Sequence, residues 1–199
     1  MTSAPKDDAR AVLDFWFGAP GSATDGKPRD EWFRKCDAFD RAIEHRFAPL
    51  IESALDGGLR GWDGQADTAL ARILLLDQFT RNIYRGTPRA FAGDPLALQI
   101  AEALVAAGRD KNLTPWQRWF AYLPFEHSES LLDQERSVAL YAALRREMQH
   151  EAFDSALDYA ERHRAIILRF GRFPHRNAIL GRTSTAEEVD FLTQPGSSF

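Results

Sequence analysis

A first group of polar residues lies in the stretch Ile73–Gly86, Ile-Leu-Leu-Leu-Asp-Gln-Phe-Thr-Arg-Asn-Ile-Tyr-Arg-Gly. Helical spacing places Asp77, Arg81 and Arg85 at successive i, i+4 steps, with Asn82 beside them. Guanidinium groups bind carboxylates and phosphates through paired N–H donors, so this arc could bind an anion. It could also form a salt-bridge network between helices, because Asp77 and Arg81 can pair along one helix. The sequence leaves both interpretations open.

A second group is formed by the acids and the histidine of Leu-Pro-Phe-Glu-His-Ser-Glu. On one continuous helix, Glu126 and Glu129 share a face, and His127 points about 100° away from Glu126. Such side chains could transfer protons or bind a metal ion. Zinc-binding helices carry two histidines at i and i+4, so no metal site is predicted here. Alternatively, the acids pair with the first group, which places Arg81 or Arg85 within hydrogen-bonding distance of Glu126 or Glu129.

A third group follows in Phe-Gly-Arg-Phe-Pro-His-Arg-Asn, and no acidic residue occurs between Glu161 and Glu187. The short helix that begins at Pro174 would present free N–H groups and a dipole that favour an anion. The sequence therefore indicates ligand binding at this turn, although a solvated basic turn is the alternative. Its polar side chains are Arg172, His175, Arg176 and Asn177.

The lack of nearby acids suggests that Arg176 serves a ligand rather than the fold. We therefore expect Arg176→Ala to change the free energy of unfolding by less than about 1 kcal/mol. The same substitution should abolish the stabilisation that an anionic ligand gives by binding only the folded state.

The stretches 75–86, 123–129 and 169–177 resemble the signatures of the bacterial family catalogued as domain of unknown function 924. The similarity covers residues 15–192, which is nearly the whole chain. Thr80 departs from the pattern, since the family is expected to carry proline there. The resemblance implies an all-helical, tetratricopeptide-like right-handed superhelix. It implies no activity, because the family has none assigned.

The elements that must position these groups have the hydrophobic spacing of helices, and no alternating strand pattern occurs. We predict one all-α domain over residues 1–199, built of stacked antiparallel helix pairs without a sheet. Residues 1–6 are expected to be disordered, and residues 194–199 to form a flexible tail. Helices are predicted at 7–17, 30–55, 66–84, 94–108, 115–149, 153–170 and 185–192, with a short turn of helix at 174–181.

Local signals fix several helix positions. Pro49 and Pro124 should kink or interrupt their helices. Asp94 is predicted to cap a helix that has proline at its first position. Thr185 and Glu188 form a capping-box pattern. The core side of the central helix is predicted to carry Leu75, Leu76, Phe79 and Ile83.

Composition limits the function. The net charge of −4 over 199 residues is spread along the chain, which argues against a nucleic-acid partner. The single cysteine, Cys36, is predicted to lie half-buried in a helix and fits a reducing cytosol. The N-terminus lacks a signal-peptide pattern, and the longest aliphatic run, Ile73–Leu76, is far shorter than the ~20 residues of a membrane span. We therefore expect a cytoplasmic protein without a membrane partner.

Three functions remain open. The first is binding of a small anionic molecule by the arginines and His175, in a pocket shared by the three groups. The second is a hydrolase in which Glu126, His127 or His175 transfers protons while arginines stabilise negative charge. The third is a scaffold that binds a peptide. The sequence contains no nucleophile elbow, P-loop or dinucleotide fingerprint, so no cofactor is predicted. The oligomeric state has no sequence signal.

Overall fold

The computed structural model describes residues 5–198. Residues 1–4 and 199, which belong to the segments expected to be disordered or flexible, lie outside this range. Within it the chain forms α-helices, one π-helical segment and short 3₁₀ turns, and contains no strand. The prediction of an all-α fold is therefore confirmed. No helix between residues 5 and 198 is long and apolar enough to cross a membrane.

The helices follow one another along the chain with short connections. They are α1 (Pro5–Phe17), α2 (Asp37–Leu55), α3 (Ala66–Ile73), α4 (Thr80–Ile83), α5 (Asp94–Ala106), α6 (Pro115–His127), α7 (Leu131–Met148), α8 (Glu151–Phe170) and α9 (Ala186–Leu192). The π-helix Leu74–Phe79 joins α3 to α4, and 3₁₀ turns lie at Asp30–Trp32, Arg60–Gly64, Pro88–Phe91, Arg109–Asn112 and Pro174–Arg176.

The backbone clusters into two compact units, and the boundary falls inside α6. The N-terminal unit comprises the chain through Arg85 together with Arg89–Pro124. The C-terminal unit comprises Gly86–Pro88 and the chain from Phe125 onward.

The core of the N-terminal unit is aromatic. The Trp16 ring lies 5.5 Å from that of Phe79 and 5.4 Å from that of Phe120, between ring centroids. The Trp32 indole N–H donates to the Trp16 carbonyl over 2.9 Å. α1 and α5 pack against α3, and α2 packs against the π-helix. The large buried rings therefore hold the central helical segment from several sides.

The π-helix changes the predicted faces of the central segment. A π turn holds more residues than an α turn, so a constant 100° step no longer assigns them to faces. All six residues of Leu74–Phe79 are buried, including Asp77, which was predicted on a polar arc. Ile83, predicted to be in the core, is only half-buried. Gly93 packs so closely that a Cβ atom there would collide with the Leu76 carbonyl.

The second predicted helix starts later in the chain than expected, because tertiary hydrogen bonds hold the residues before it in a separate turn. α2 begins at Asp37 rather than residue 30, and Cys36 precedes it instead of lying within it. The Asp30–Trp32 turn is separate from α2, because Arg29 donates to the Phe15 carbonyl and the Trp32 indole donates to the Trp16 carbonyl. The same helix continues through Pro49 without being split.

The predicted helix 115–149 is two helices, and its break is not at Pro124. α6 passes through that proline and ends at His127. The buried Gln134 side chain of α7 donates to the carbonyls of Glu126 at 2.6 Å and Ser128 at 2.7 Å, which satisfies the open end of α6. Ser130 then caps α7. Glu129 therefore lies in a linker, not on a helix face with Glu126.

Two predicted caps have different outcomes. The capping box of Thr185 and Glu188 is confirmed. Asp94 is the first residue of α5 rather than its cap, and its carboxylate binds Arg81.

The burial of Phe79 gives a stability prediction. Phe79→Ala should lower the free energy of unfolding by about 3–5 kcal/mol, because the fully buried ring would leave a cavity. Urea denaturation measures the change. Phe33→Ala is the control, since that ring is 58% exposed and should cost clearly less. An unchanged urea midpoint for Phe79→Ala would contradict the described core.

Candidate functional site

In the first predicted group, Arg81 is bound by two carboxylates of the N-terminal unit. Its guanidinium bonds to both oxygens of Asp94, at 2.7 and 2.9 Å, and lies 3.2 Å from an oxygen of the fully buried Asp77. Burial lowers the pKa of Arg81, but the two carboxylates outweigh it and raise the pKa above its usual value. The charge of Arg81 is therefore matched inside the fold.

Arg85 and Asn82 both bind Asp40 of α2. The Asn82 amide donates to Asp40 Oδ1 over 2.6 Å, and Arg85 Nε lies 3.1 Å from Oδ2. The acidic partners that the structure gives Arg81 and Arg85 are thus Asp77, Asp94 and Asp40, all in the N-terminal unit. The first group links helices of the N-terminal unit.

In the C-terminal unit, Glu129 connects the α6–α7 linker to the basic turn. Arg182 donates to its two oxygens over 2.7 and 3.0 Å, and the Phe173 N–H donates to it over 2.8 Å. Burial raises the pKa of Glu129, but the bonds from Arg182 and Phe173 outweigh burial and lower it. These three bonds hold the backbone of the turn in place.

The basic turn has a distant acidic partner that its neighbourhood in sequence does not show. Arg172 bonds to both oxygens of Glu188 over 2.6 and 2.7 Å. Those bonds lower the pKa of Glu188 to about 2. The fully buried Asn177 donates to Ser184 over 3.0 Å and accepts from Arg182 over 2.9 Å. Arg172 and Asn177 therefore shape the turn itself.

Three nitrogen-containing side chains gather around the buried ring of Phe173. The Arg176 guanidinium carbon lies 4.6 Å from the ring centroid, and the imidazole centroids of His163 and His175 lie 5.4 and 5.6 Å from it. The His127 ring lies 6.4 Å from that of His163. We call this set, with the acids beside it, the Phe173 cluster: Glu126, His127, Glu129, His163, Phe173, His175 and Arg176.

His163 of α8 is the member of the cluster that the sequence analysis missed. Its Nδ1 lies 2.8 Å from the Tyr159 carbonyl and 3.3 Å from Glu126 Oε1. Burial lowers the pKa of His163 to about 3, so the ring is neutral at pH 7 and its Nδ1 carries the hydrogen. A neutral imidazole oriented through Nδ1 keeps Nε2 as an acceptor, which is the arrangement of general-base histidines.

A signal for His163 was present in the sequence. On α8 it lies on the same face as the buried residues Ala156, Ala160 and Ile167, at helical spacing. A histidine in the core stripe of an amphipathic helix needs a buried polar partner. The sequence could therefore have indicated His163 as a buried polar residue, but not its partner Glu126.

The side chains of Arg176 and His175 are less exposed to solvent than those of a solvated basic turn would be. Arg176 is only 7% exposed, which corrects the prediction that it lies outside the core. Its replacement should therefore cost more than the expected 1 kcal/mol. Burial, with the positive charge of Arg176, lowers the pKa of the half-buried His175 to about 4. Among residues 5–198 no group of three or more His, Cys, Asp or Glu side chains could hold a metal ion.

The Arg172–Glu188 pair gives a prediction of pH dependence. Since the pKa of Glu188 falls from its usual 4.5 to about 2, the pair stabilises the fold above pH 4.5, and this contribution is lost towards pH 2. Arg172→Met should therefore lower stability to urea at pH 7, with a difference from wild type that shrinks below pH 4.5.

Arg169→Met is the matched control, because Arg169 forms an exposed pair with Glu187. It should have little effect at any pH. A difference between Arg172→Met and wild type that stays constant down to about pH 2 would contradict the assignment.

The comparisons of this chain with known proteins agree with the resemblance seen in its sequence. A search of curated proteins finds no match. A solved structure of a protein of unknown function from Agrobacterium tumefaciens is 39% identical, with a TM-score of 0.81 over 95% of this chain and 98% of that one. The family model described as "Bacterial protein of unknown function (DUF924)" matches residues 12–196. The chain therefore belongs to this bacterial family of unknown function.

Proposed function

We propose that the protein binds a small anionic molecule at the Phe173 cluster. The observation that carries the proposal is the gathering of Arg176, His163 and His175 around one buried ring. Buried side chains with strongly shifted pKa values are concentrated at functional sites. In this cluster the pKa values of two histidines are lowered by burial and by neighbouring positive charge.

The donors of the cluster suit an anion. A guanidinium offers several N–H donors in one plane, which fits carboxylate and phosphate oxygens. A neutral imidazole adds one donor and one acceptor. His127 and His175 are half-buried, whereas Arg176 is buried.

The proposed site contains fewer ligand-binding residues than the sequence analysis predicted. Asp77, Arg81, Asn82 and Arg85 bind one another, Asp94 or Asp40, so their charges are matched within the N-terminal unit. Arg172 and Asn177 hold the shape of the basic turn. Of the predicted set, we assign ligand binding to Arg176 and His175, because both side chains lie at the Phe173 ring.

A thermal-shift screen of phosphates, nucleotides and dicarboxylates tests the proposal. We expect at least one of these anions to raise the Tm of the wild type, because a ligand that binds only the folded state stabilises it. The shift should be lost in Arg176→Gln and reduced in His175→Gln. Since Arg176 is buried, each shift is measured from the variant's own ligand-free Tm.

Arg85→Gln is the control, because Arg85 is bound to Asp40 in the N-terminal unit. It should keep the ligand-induced shift of the wild type. Full shifts in both Arg176→Gln and His175→Gln, or no shift of the wild type with any of these anions, would contradict the proposal.

A further inference from the structure

Two guanidinium groups of the N-terminal unit meet at the turn Arg60–Gly64, which we call the Asp63 turn. Arg72 of α3 donates from Nη1 to both oxygens of the Asp63 carboxylate, over 2.8 and 2.7 Å. Arg109 donates from Nη1 to the carbonyls of Asp63 and Gly64, over 2.9 and 2.7 Å. Each side chain is therefore anchored to the turn through one of its three guanidinium nitrogens.

The Nε groups of these two arginines are buried donors. Neither Nε of Arg72 nor Nε of Arg109 has a hydrogen-bond acceptor among residues 5–198. The Arg72 residue is only 3% exposed. A buried N–H group without an acceptor costs free energy, so folded proteins satisfy such groups with water or with a ligand.

Two other arginines of this chain show which group fits the Nε side of a guanidinium. Arg172 binds Glu188 through Nε and Nη2, over 2.6 and 2.7 Å. Arg85 binds Asp40 through the same two atoms, over 3.1 and 3.3 Å. The N–H bonds of these atoms are parallel and fit the two oxygens of a carboxylate. At the Asp63 turn, the arginines bond to the described chain through Nη1 alone, so this side is open to an external carboxylate-type group.

The carboxylates near the turn serve other cations than Arg109. Within the described part of the chain, Arg109 has no carboxylate within ion-pair distance, and its bonds go to backbone carbonyls. Its neighbour Asp110 lies 3.4 Å from Lys111, and the Asp63 carboxylate is bound to Arg72. Because a guanidinium stays charged, Arg109 can compensate one further negative charge at this place.

The Asp63 turn is fixed in position and lies at the surface. Trp62 is 3% exposed, and the Thr68 hydroxyl donates to its carbonyl. Gly61 and Gly64 are exposed, and the Asp63 side chain is 39% exposed. The donors of the two arginines therefore lie beneath an exposed turn whose backbone is held from below.

We propose that the Asp63 turn binds a small carboxylate-type monoanion, such as formate or bicarbonate, with the Nε groups of Arg72 and Arg109 as donors. A planar O–C–O group accepts two parallel N–H bonds, which the Nε side of a guanidinium offers. A small ion suits donors that are buried, and a single charge suits a turn that already contains one carboxylate. The site lies within the N-terminal unit and does not depend on the Phe173 cluster.

Side-chain NMR of the arginine Nε–H groups tests the proposal, because it reports each guanidinium separately. Sodium formate is titrated in one arm and sodium bicarbonate in the other, each against sodium chloride at equal ionic strength. We expect the Nε signals of Arg72 and Arg109 to shift saturably with at least one of the two ions, but not with chloride. The ion that saturates at the lower concentration identifies the source of the carboxylate-type group. The Nε signal of Arg85, which is already bonded to Asp40, is the internal control and should not shift.

Two variants change the site in opposite directions. Asp63→Asn removes the negative charge beside the bound ion, so it should lower the midpoint of the titration at least about threefold. Arg109→Lys keeps the positive charge but has no Nε–Nη2 side, so it should raise the midpoint of the Arg72 shift at least about threefold. Both positions are only half-buried, and backbone amide spectra check that each variant is folded.

Three results would overturn the proposal. Nε signals of Arg72 and Arg109 that stay unchanged with both ions would mean that water alone satisfies these donors. An equal shift of the Arg85 signal would show a general effect of the salt. Midpoints that are the same in the wild type, Asp63→Asn and Arg109→Lys would place the bound ion elsewhere. None of these results bears on the Phe173 cluster, which is tested through its own variants.

Discussion

The carboxylate of Glu129 is the contact on which the Phe173 cluster depends. It accepts two bonds from Arg182 and one from the Phe173 N–H, and so joins the α6–α7 linker to the turn after α8. Arg182 also donates to the Phe173 carbonyl over 3.0 Å. Both backbone polar groups of Phe173 are thus held by one ion pair. The position of the ring, and of the side chains packed on it, follows from that pair.

The arginines make two kinds of contact. In the N-terminal unit Arg81, Arg85 and Arg72 bind carboxylates directly, which matches charge inside the fold. Such pairs offset their own desolvation and specify helix positions more than they add stability. In the C-terminal unit Arg172 and Arg182 also bind carboxylates, whereas Arg176 lies on an aromatic ring among imidazoles. Because imidazoles change charge with small changes in their surroundings, this is the cluster at which we propose ligand binding.

Local signals predicted much of the fold. The starts of α6 and α9, the end of α8 at Gly171 and the all-α class follow from prolines, capping residues and helical spacing. The break between α6 and α7 was misplaced, because a buried glutamine outweighs the local effect of a proline. The π-helix was missed for a related reason. Its hydrogen bonds span a different number of residues, and spacing of apolar residues alone does not reveal that.

The candidate site was predicted less completely, because its contacts join residues far apart in the chain. Arg172, His175 and Arg176 were recognised from their composition and neighbours. Arg172 pairs with Glu188, which lies 16 residues away, and the Phe173 N–H donates to Glu129, which lies 44 residues away. His163 was missed because its spacing is that of a core position. Sequence patterns show which residues are unusual, but pairing over such distances is set by how the helices pack.

The most direct test of this account is the protonation of the cluster histidines in the ligand-free protein. Nitrogen chemical shifts of the imidazoles, followed by NMR from about pH 8 to pH 5, report charge and tautomer for each ring. We predict that His163 and His175 stay neutral throughout, and that His163 carries its hydrogen on Nδ1, as its contact with the Tyr159 carbonyl requires. Titration of either ring near its usual pKa of about 6.5, or a hydrogen on Nε2 of His163, would contradict the buried cluster described here.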